Sequence, residues 1–217
     1  MMDFPLLLRT FLLRSAKYFP KKEIVSVFPE IVHRYTYADF YKRTCQLAHA
    51  LKSLGIKRGD RVASVALNDH RHLELYFGVP CYGAVLHTAN FRLPQNHLSY
   101  ILNHAEDQVI FVDEDLLMFV ELVRDRLETV KHIVVLSHTG KKPASNLPGL
   151  IMYDELISQF PEEYDFPTDL SEWDPAMICY TSATTGDPKG VVYSHRALVL
   201  HTYAVAVTFG ASEADCV

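Results

Sequence analysis

Arg61-Val-Ala-Ser-Val-Ala-Leu67 opens the stretch on which the fold turns. It is a short apolar run introduced by the turn Lys57-Arg58-Gly59-Asp60, the pattern of a buried strand. His70 to Tyr82 follows, with Leu73, Tyr76 and Phe77 on one helical face and Gly83 at its end. The alternation then repeats. Ala84-Val-Leu-His-Thr88 reads as a strand, and Asn90 to Pro94 as a turn into a helix through Leu98, Ile101 and Leu102. Gln108-Val-Ile-Phe-Val112 is a third strand, Leu116 to Leu127 a third helix and Lys131-His-Ile-Val-Val-Leu136 a fourth strand. Strands this uniformly apolar need cover on both faces, and helical crossovers between them supply it. The stretch therefore predicts an α/β fold of parallel-type sheets with helices on both faces.

Upstream, Leu6 to Leu8 and Phe11 to Leu13 alternate with Arg9, Arg14 and Lys17. Asp3 and the arginines break any signal-peptide core, so an amphipathic helix ending near Pro20 is expected. Downstream, Ser137 to Pro148 has the Gly, Lys and Pro content of a surface loop. Phe160 to Pro175 carries six acidic residues (Glu162, Glu163, Asp165, Asp169, Glu172 and Asp174) and reads as a solvated crossing. The 217 residues, 49% hydrophobic with 12 Tyr and 12 Phe, exclude a disordered tail and suffice for a continuous core. A formal charge of −5 argues against nucleic acid as the principal partner, and no run is long and apolar enough for a membrane span. Cys45, Cys81, Cys179 and Cys216 form no CxxC pair, which fits reduced thiols and a cytoplasmic location. His70-x-His72 and the pair His195 and His201 lack partners at metal-binding spacing.

The chemistry concentrates after the apolar strand Ala176-Met-Ile-Cys-Tyr180. Thr181-Ser182-Ala183-Thr184-Thr185-Gly186-Asp187-Pro188-Lys189-Gly190 leads directly into a second strand, Val191-Val-Tyr193. Small residues let backbone N–H groups approach a phosphate chain, hydroxyls add donors and Lys189 adds a point charge. A Thr hydroxyl also suits a hydrated Mg²⁺ that bridges phosphates. The order differs from the Walker loop, because Lys189 is followed by Gly190 and a strand rather than by Ser or Thr opening a helix. The bland alternative is a polar hairpin turn, which rarely needs four hydroxyls and Gly-x-Pro-Lys-Gly within ten residues.

Tyr180 to Gly190 resembles the signature loop of the adenylate-forming superfamily of acyl-CoA synthetases, luciferases and peptide-synthetase adenylation domains. Val191-Val-Tyr-Ser-His-Arg-Ala-Leu-Val-Leu-His201, Arg71-His-Leu-Glu-Leu-Tyr-Phe77, Gly83-Ala-Val-Leu-His-Thr-Ala-Asn90 and Tyr100-Ile-Leu-Asn-His-Ala-Glu-Asp107 narrow the resemblance to medium- and long-chain fatty acyl-CoA ligases of bacterial type. It runs from about Tyr35 onward. The family usually has Gly at the position of Ala183; if a left-handed backbone is needed there, a Cβ costs roughly 1–2 kcal/mol.

The resemblance implies ATP-dependent formation of an acyl-adenylate and then of a thioester with coenzyme A. By it, Thr181, Ser182, Ala183, Thr184, Thr185, Gly186 and Lys189 hold phosphates, the Thr181 hydroxyl contacts Mg²⁺, and His195 and Arg196 stand behind them. No residue of the chain is expected to act as a nucleophile. It further implies that residues 1–217 are the incomplete N-terminal, AMP-binding portion of a longer enzyme without its C-terminal lid domain. A homodimer is expected of the full-length parent, and inactivity and self-association of the isolated segment. Two other readings stay open: a non-catalytic nucleotide-binding module derived from the same fold, and an adenylating enzyme with another acceptor.

Overall fold

The computed structural model describes residues 4–182, 186–212 and 215. The N-terminal amphipathic segment is α1 (Leu8–Tyr18), with Leu8 and Leu12 buried. An antiparallel hairpin follows, β1 (Glu23–Val27) with β2 (Val32–Thr36), and leads into α2 (Tyr37–Ser53). The hairpin and α2 add to the pattern expected from Arg61 onward. Thr36 and Asp39 start α2 as a reciprocal cap: the Thr36 hydroxyl accepts the Asp39 amide, and the Asp39 carboxylate accepts the Thr36 amide.

The predicted alternation then runs β3 (Arg61–Val65), α3 (His70–Tyr82), β4 (Val85–Thr88), α4 (Gln95–His104), β5 (Asp107–Asp113), α5 (Leu117–Glu121) and β6 (His132–Leu136). Asp69 caps α3 by accepting the His72 amide, and Gly83 ends it in the left-handed region at φ 102°. Beyond β6 lie β7 (Ile151–Met152), α6 (Tyr153–Ile157), β8 (Pro175–Tyr180), β9 (Gly190–Ser194) and α7 (His195–Phe209). Seven strands form one sheet in the order β7-β6-β5-β3-β4-β8-β9. Every neighbouring pair is parallel except β8 with β9, which is an antiparallel hairpin.

The two-residue period of a strand divides the core between the sheet's faces. Val109 and Phe111 of β5 and Val134 and Leu136 of β6 pack with Leu47 and Leu51 of α2 and Leu75 and Val79 of α3. Their neighbours Ile110, Val112, Ile133 and Val135 pack on the other face with Leu98, Ile101 and Leu102 of α4 and with Leu117 and Val120 of α5. Each such fully buried side chain contributes roughly 1.5–3 kcal/mol of transfer free energy.

The continuous helix expected from Leu116 to Leu127 is divided. A 3-10 turn (Glu114–Leu116) precedes the short α5, and another (Arg124–Arg126) follows it. The inward residues Leu117, Val120 and Val123 recur every third position, and the Val123 and Arg126 amides bond three residues back, to Val120 and Val123. That spacing favours the tighter winding.

Several buried polar groups in this core are paired. Arg43 of α2 forks onto Glu74 of α3, with Nε to Oε1 at 2.7 Å and Nη2 to Oε2 at 3.2 Å. The Tyr153 hydroxyl donates to the same carboxylate at 2.7 Å, and Glu74 has no exposed surface. Burial pushes the Glu74 carboxyl upward, and the Arg43 charge opposes this. His70 is taken up by Ser26, and His72 by Ser64 and the Leu67 carbonyl. The acidic crossing is pinned to basic side chains, Glu162 to Lys42, Asp169 and Asp174 to Arg58, and Glu172 to Arg196. At the β9 edge the apolar surface is open: Val191, Val192 and Tyr193 are exposed, as are Tyr203, Val207 and Phe209 of α7.

Candidate functional site

The hydroxyl-rich loop joins β8 to β9 at the carboxyl end of β8, the side on which open α/β sheets bind ligands. Its base is closed by two hydrogen bonds. The Thr181 amide donates to the Lys189 carbonyl at 3.0 Å, and the Lys189 amide donates to the Thr181 hydroxyl at 3.2 Å. Thr181 therefore keeps its own O–H and a second lone pair for another partner. Thr181, Ser182, Gly186 and Lys189 are exposed, and Gly186 is left-handed at φ 92°. Lys189 has no carboxylate partner among the described residues. Ala183, Thr184 and Thr185, also expected at this site, lie outside the described residues.

Gly190 explains why the loop ends as it does. A Cβ there would stand 3.0 Å from Ile178 Cδ1 and 3.1 Å from Tyr180 Cζ, so only glycine lets the Tyr180 ring cross the start of β9 without displacement. The Tyr180 hydroxyl bonds to His104 Nδ1 at 2.7 Å. Burial, reinforced by the Asp107 charge, pushes the Tyr180 phenol up to about 12, so it stays protonated.

Beneath Tyr180 lies a pair that no local sequence pattern announces. His87 Nδ1 and Asp107 Oδ2 are 2.6 Å apart, and both residues are wholly buried. The one visible signal is a histidine within the apolar run Ala84 to Thr88.

His195 and Arg196 do not stand behind the loop. The register pairs Tyr180 with Gly190 but Pro175 with Ser194, so both lie at the opposite end of the hairpin. His195 Nδ1 accepts the Leu8 amide at 3.4 Å, serving the first turn of α1, whose preceding Leu7 offers no side-chain cap. Arg196 is bound to Glu172 at 2.6 Å. Burial pushes the His195 imidazole down to about 4, with the Asp174 charge opposing. The unfolded chain therefore takes up a proton near 6.5 that the folded chain refuses until about 4. This contribution is complete above the unfolded value and is lost as pH falls through that window. Relative to His195→Gln, which keeps an acceptor and does not titrate, the wild type is expected to lose ~3 kcal/mol between pH 7 and 4. Denaturant unfolding at stepped pH checks this; parallel curves for the two proteins would contradict it.

Residues 12–217 match the sequence profile of the family described as AMP-binding enzyme. The chain belongs to the AMP-binding enzyme family. It is 48% identical over 220 residues to the long-chain-fatty-acid–CoA ligase of Thermus thermophilus, covering 100% of this chain and 39% of that protein. It is 40% identical over 205 residues to the 3-methylmercaptopropionyl-CoA ligase of Ruegeria lacuscaerulensis, covering 94% of this chain and 38% of that one. The structure of a long-chain-fatty-acid-CoA ligase from Archaeoglobus fulgidus shares the fold, with a TM-score of 0.81 at 22% identity over 99% of this chain and 42% of the other. The chain thus spans about two fifths of the length of the curated relatives it matches.

Among the described residues no cluster of His, Cys, Asp or Glu is arranged to hold a metal ion, and no helix is long and apolar enough to cross a membrane. The Thr181 hydroxyl nevertheless suits Mg²⁺, which keeps most of its ligands as water and phosphate oxygens.

Proposed function

We propose that this chain is the part of an ATP-dependent fatty acid–CoA ligase that carries the phosphate loop. In this reading a medium- or long-chain fatty acid carboxylate attacks the α-phosphorus of ATP. An O–P bond forms, the bond to the bridging oxygen breaks, and pyrophosphate leaves with the electron pair. The coenzyme A sulfur then adds to the acyl carbon of the adenylate, losing its proton, and AMP departs to leave the thioester. The chain's own part is to bind and orient the triphosphate, a positional and electrostatic task that needs no protein nucleophile. Thr181, Ser182, Gly186 and Lys189 face the β- and γ-phosphates, with Ala183, Thr184 and Thr185 assigned to the same loop. The Thr181 hydroxyl would help hold a hydrated Mg²⁺, which would supply charge neutralisation there.

The observation that carries this reading is the exposed Lys189, with no carboxylate partner among the described residues, on a hydroxyl-rich loop whose base is closed by Thr181. The Thermus relative supports a fatty acid as the carboxylate, and the Ruegeria relative supports the wider acid–thiol class. Free Cys45, Cys81 and Cys179 accord with a reducing, cytoplasmic setting.

The complete enzyme is expected to exchange labelled pyrophosphate into ATP when a fatty acid is supplied. Medium-chain acids, long-chain acids, 3-methylmercaptopropionate and amino acids form the panel. Exchange with amino acids and none with fatty acids would overturn the acyl assignment.

A further inference from the structure

The ladder between β4 and β8 is short, pairing only Leu86 with Met177 and His87 with Ile178. The last two residues of β8 before the loop, Cys179 and Tyr180, lie beyond it. Side chains replace the missing backbone pairing on that side. Thr88 Oγ1 and Cys179 Sγ are 3.2 Å apart, the His87 and Tyr180 rings have centroids 5.0 Å apart at 49°, and the Tyr180 hydroxyl is bonded to His104. Of these supports, His87 is the one with a rigid backing: Asp107, at the start of β5, holds its Nδ1 at 2.6 Å across the intervening β3.

His87 Nε2 and Asp107 Oδ1 are buried with no hydrogen-bond partner among the described residues. A pair this incompletely satisfied is a poor device for stability, because two apolar side chains of similar volume would fill the space without unpaired polar atoms. What an apolar pair lacks is orientation. The hydrogen bond to Asp107 fixes the plane of the imidazole, and the imidazole in turn supports the Tyr180 ring one residue before Thr181.

We propose that the buried His87–Asp107 pair is a positioning element for the phosphate loop, acting through the Tyr180 ring on the Thr181–Lys189 closure. The kinetic side of this proposal rests on the adenylation reading above; the structural side does not.

The test combines the variant His87→Phe/Asp107→Leu with Tyr180→Leu in a double-mutant cycle on the complete enzyme. With the polar pair replaced together, the melting temperature is expected to hold, while the KM for ATP rises about tenfold or more and KM for the fatty acid is unchanged. In the Tyr180→Leu background the same replacement is expected to add little, because the route through the ring is already gone. Hydrogen exchange supplies a readout independent of activity: protection at the Thr181 and Lys189 amides falls, and protection in β5 and β6 persists.

Unchanged KM for ATP together with unchanged loop protection would overturn the proposal. So would effects that simply add in the cycle. If the double variant does not fold, His87→Gln and Asp107→Asn are read by the same amides, and intact Thr181 and Lys189 protection in both refutes the proposal. Absence of pyrophosphate exchange in the wild type with every acid refutes the adenylation reading instead, and the exchange-protection arm still decides whether the pair positions the loop.

Discussion

Replacing Arg43 by methionine is expected to remove about 3–5 kcal/mol of unfolding free energy at neutral pH, a large share of the margin of an ordinary domain. The methionine nearly preserves the apolar volume of the stem, so packing is not the main loss. The loss is electrostatic. Glu74 is wholly buried between α2, α3 and α6, and without the Arg43 fork no cation holds it; the Tyr153 hydroxyl at 2.7 Å and the nearby Tyr35 are the partners left to it among the described residues. The carboxyl's folded-state pKa then rises further above its unfolded value, and the variant can relieve the penalty only by taking up a proton. Its deficit is therefore greatest above that raised value and shrinks as pH falls toward the ordinary carboxylate range. Arg43→Met/Glu74→Leu is expected to recover much of the loss, since removing both charges leaves neither uncompensated. Urea unfolding at pH 7.5 and 5.5 measures both effects. A deficit below 1 kcal/mol, or one indifferent to pH, would show that the fork contributes little.

Lys189→Ala is expected to lower kcat/KM for ATP in the complete enzyme by about 10- to 100-fold, the equivalent of one charge-assisted contact of about 1.5–3 kcal/mol. The change should fall mainly on the KM for ATP. Fatty acid binding and melting temperature should hardly move, because the side chain is exposed and makes no ion pair among the described residues. The backbone closure survives the substitution, since the bonds to Thr181 come from the Lys189 amide and carbonyl. Lys189→Arg keeps the charge and is expected to restore part of the activity. Kinetics indistinguishable from wild type would reduce Lys189 to an ordinary surface lysine.

The sheet was legible where the information is local. Apolar runs such as Val109 to Val112 announce strands, Gly83 announces a helix end, and Thr181 to Gly190 carries its chemistry within a single loop. The hairpin and α2 went unread upstream of Arg61, although the Thr36-x-x-Asp39 box and the buried Phe40, Leu47 and Leu51 carry a helix signal. The division after Leu117 follows from the pitch at which Leu117, Val120 and Val123 meet the sheet, which an ordinary helical count does not resolve. The largest shortfall lies in the site's support. Adjacency in sequence placed His195 behind the loop, but a five-residue strand carries it to the far end of β9. His87 and Asp107 meet only because β3 and the strands beside it bring them together.

The placement of β8 also bears on the order of events during folding. Thr88 and Cys179, side by side in the sheet, are 91 positions apart in sequence. The strands β3 to β6 can collapse around their own crossovers, whereas β8 has to return across the intervening chain to reach β4. Closing so long a loop carries an entropy cost that nearby contacts do not, and such pairings tend to form late. The loop between β8 and β9 is thus expected to take its shape late, and during synthesis it cannot close before Lys189 has left the ribosome. A nascent chain halted before that point would carry strands β3 to β6 and their helices without the hydroxyl-rich loop.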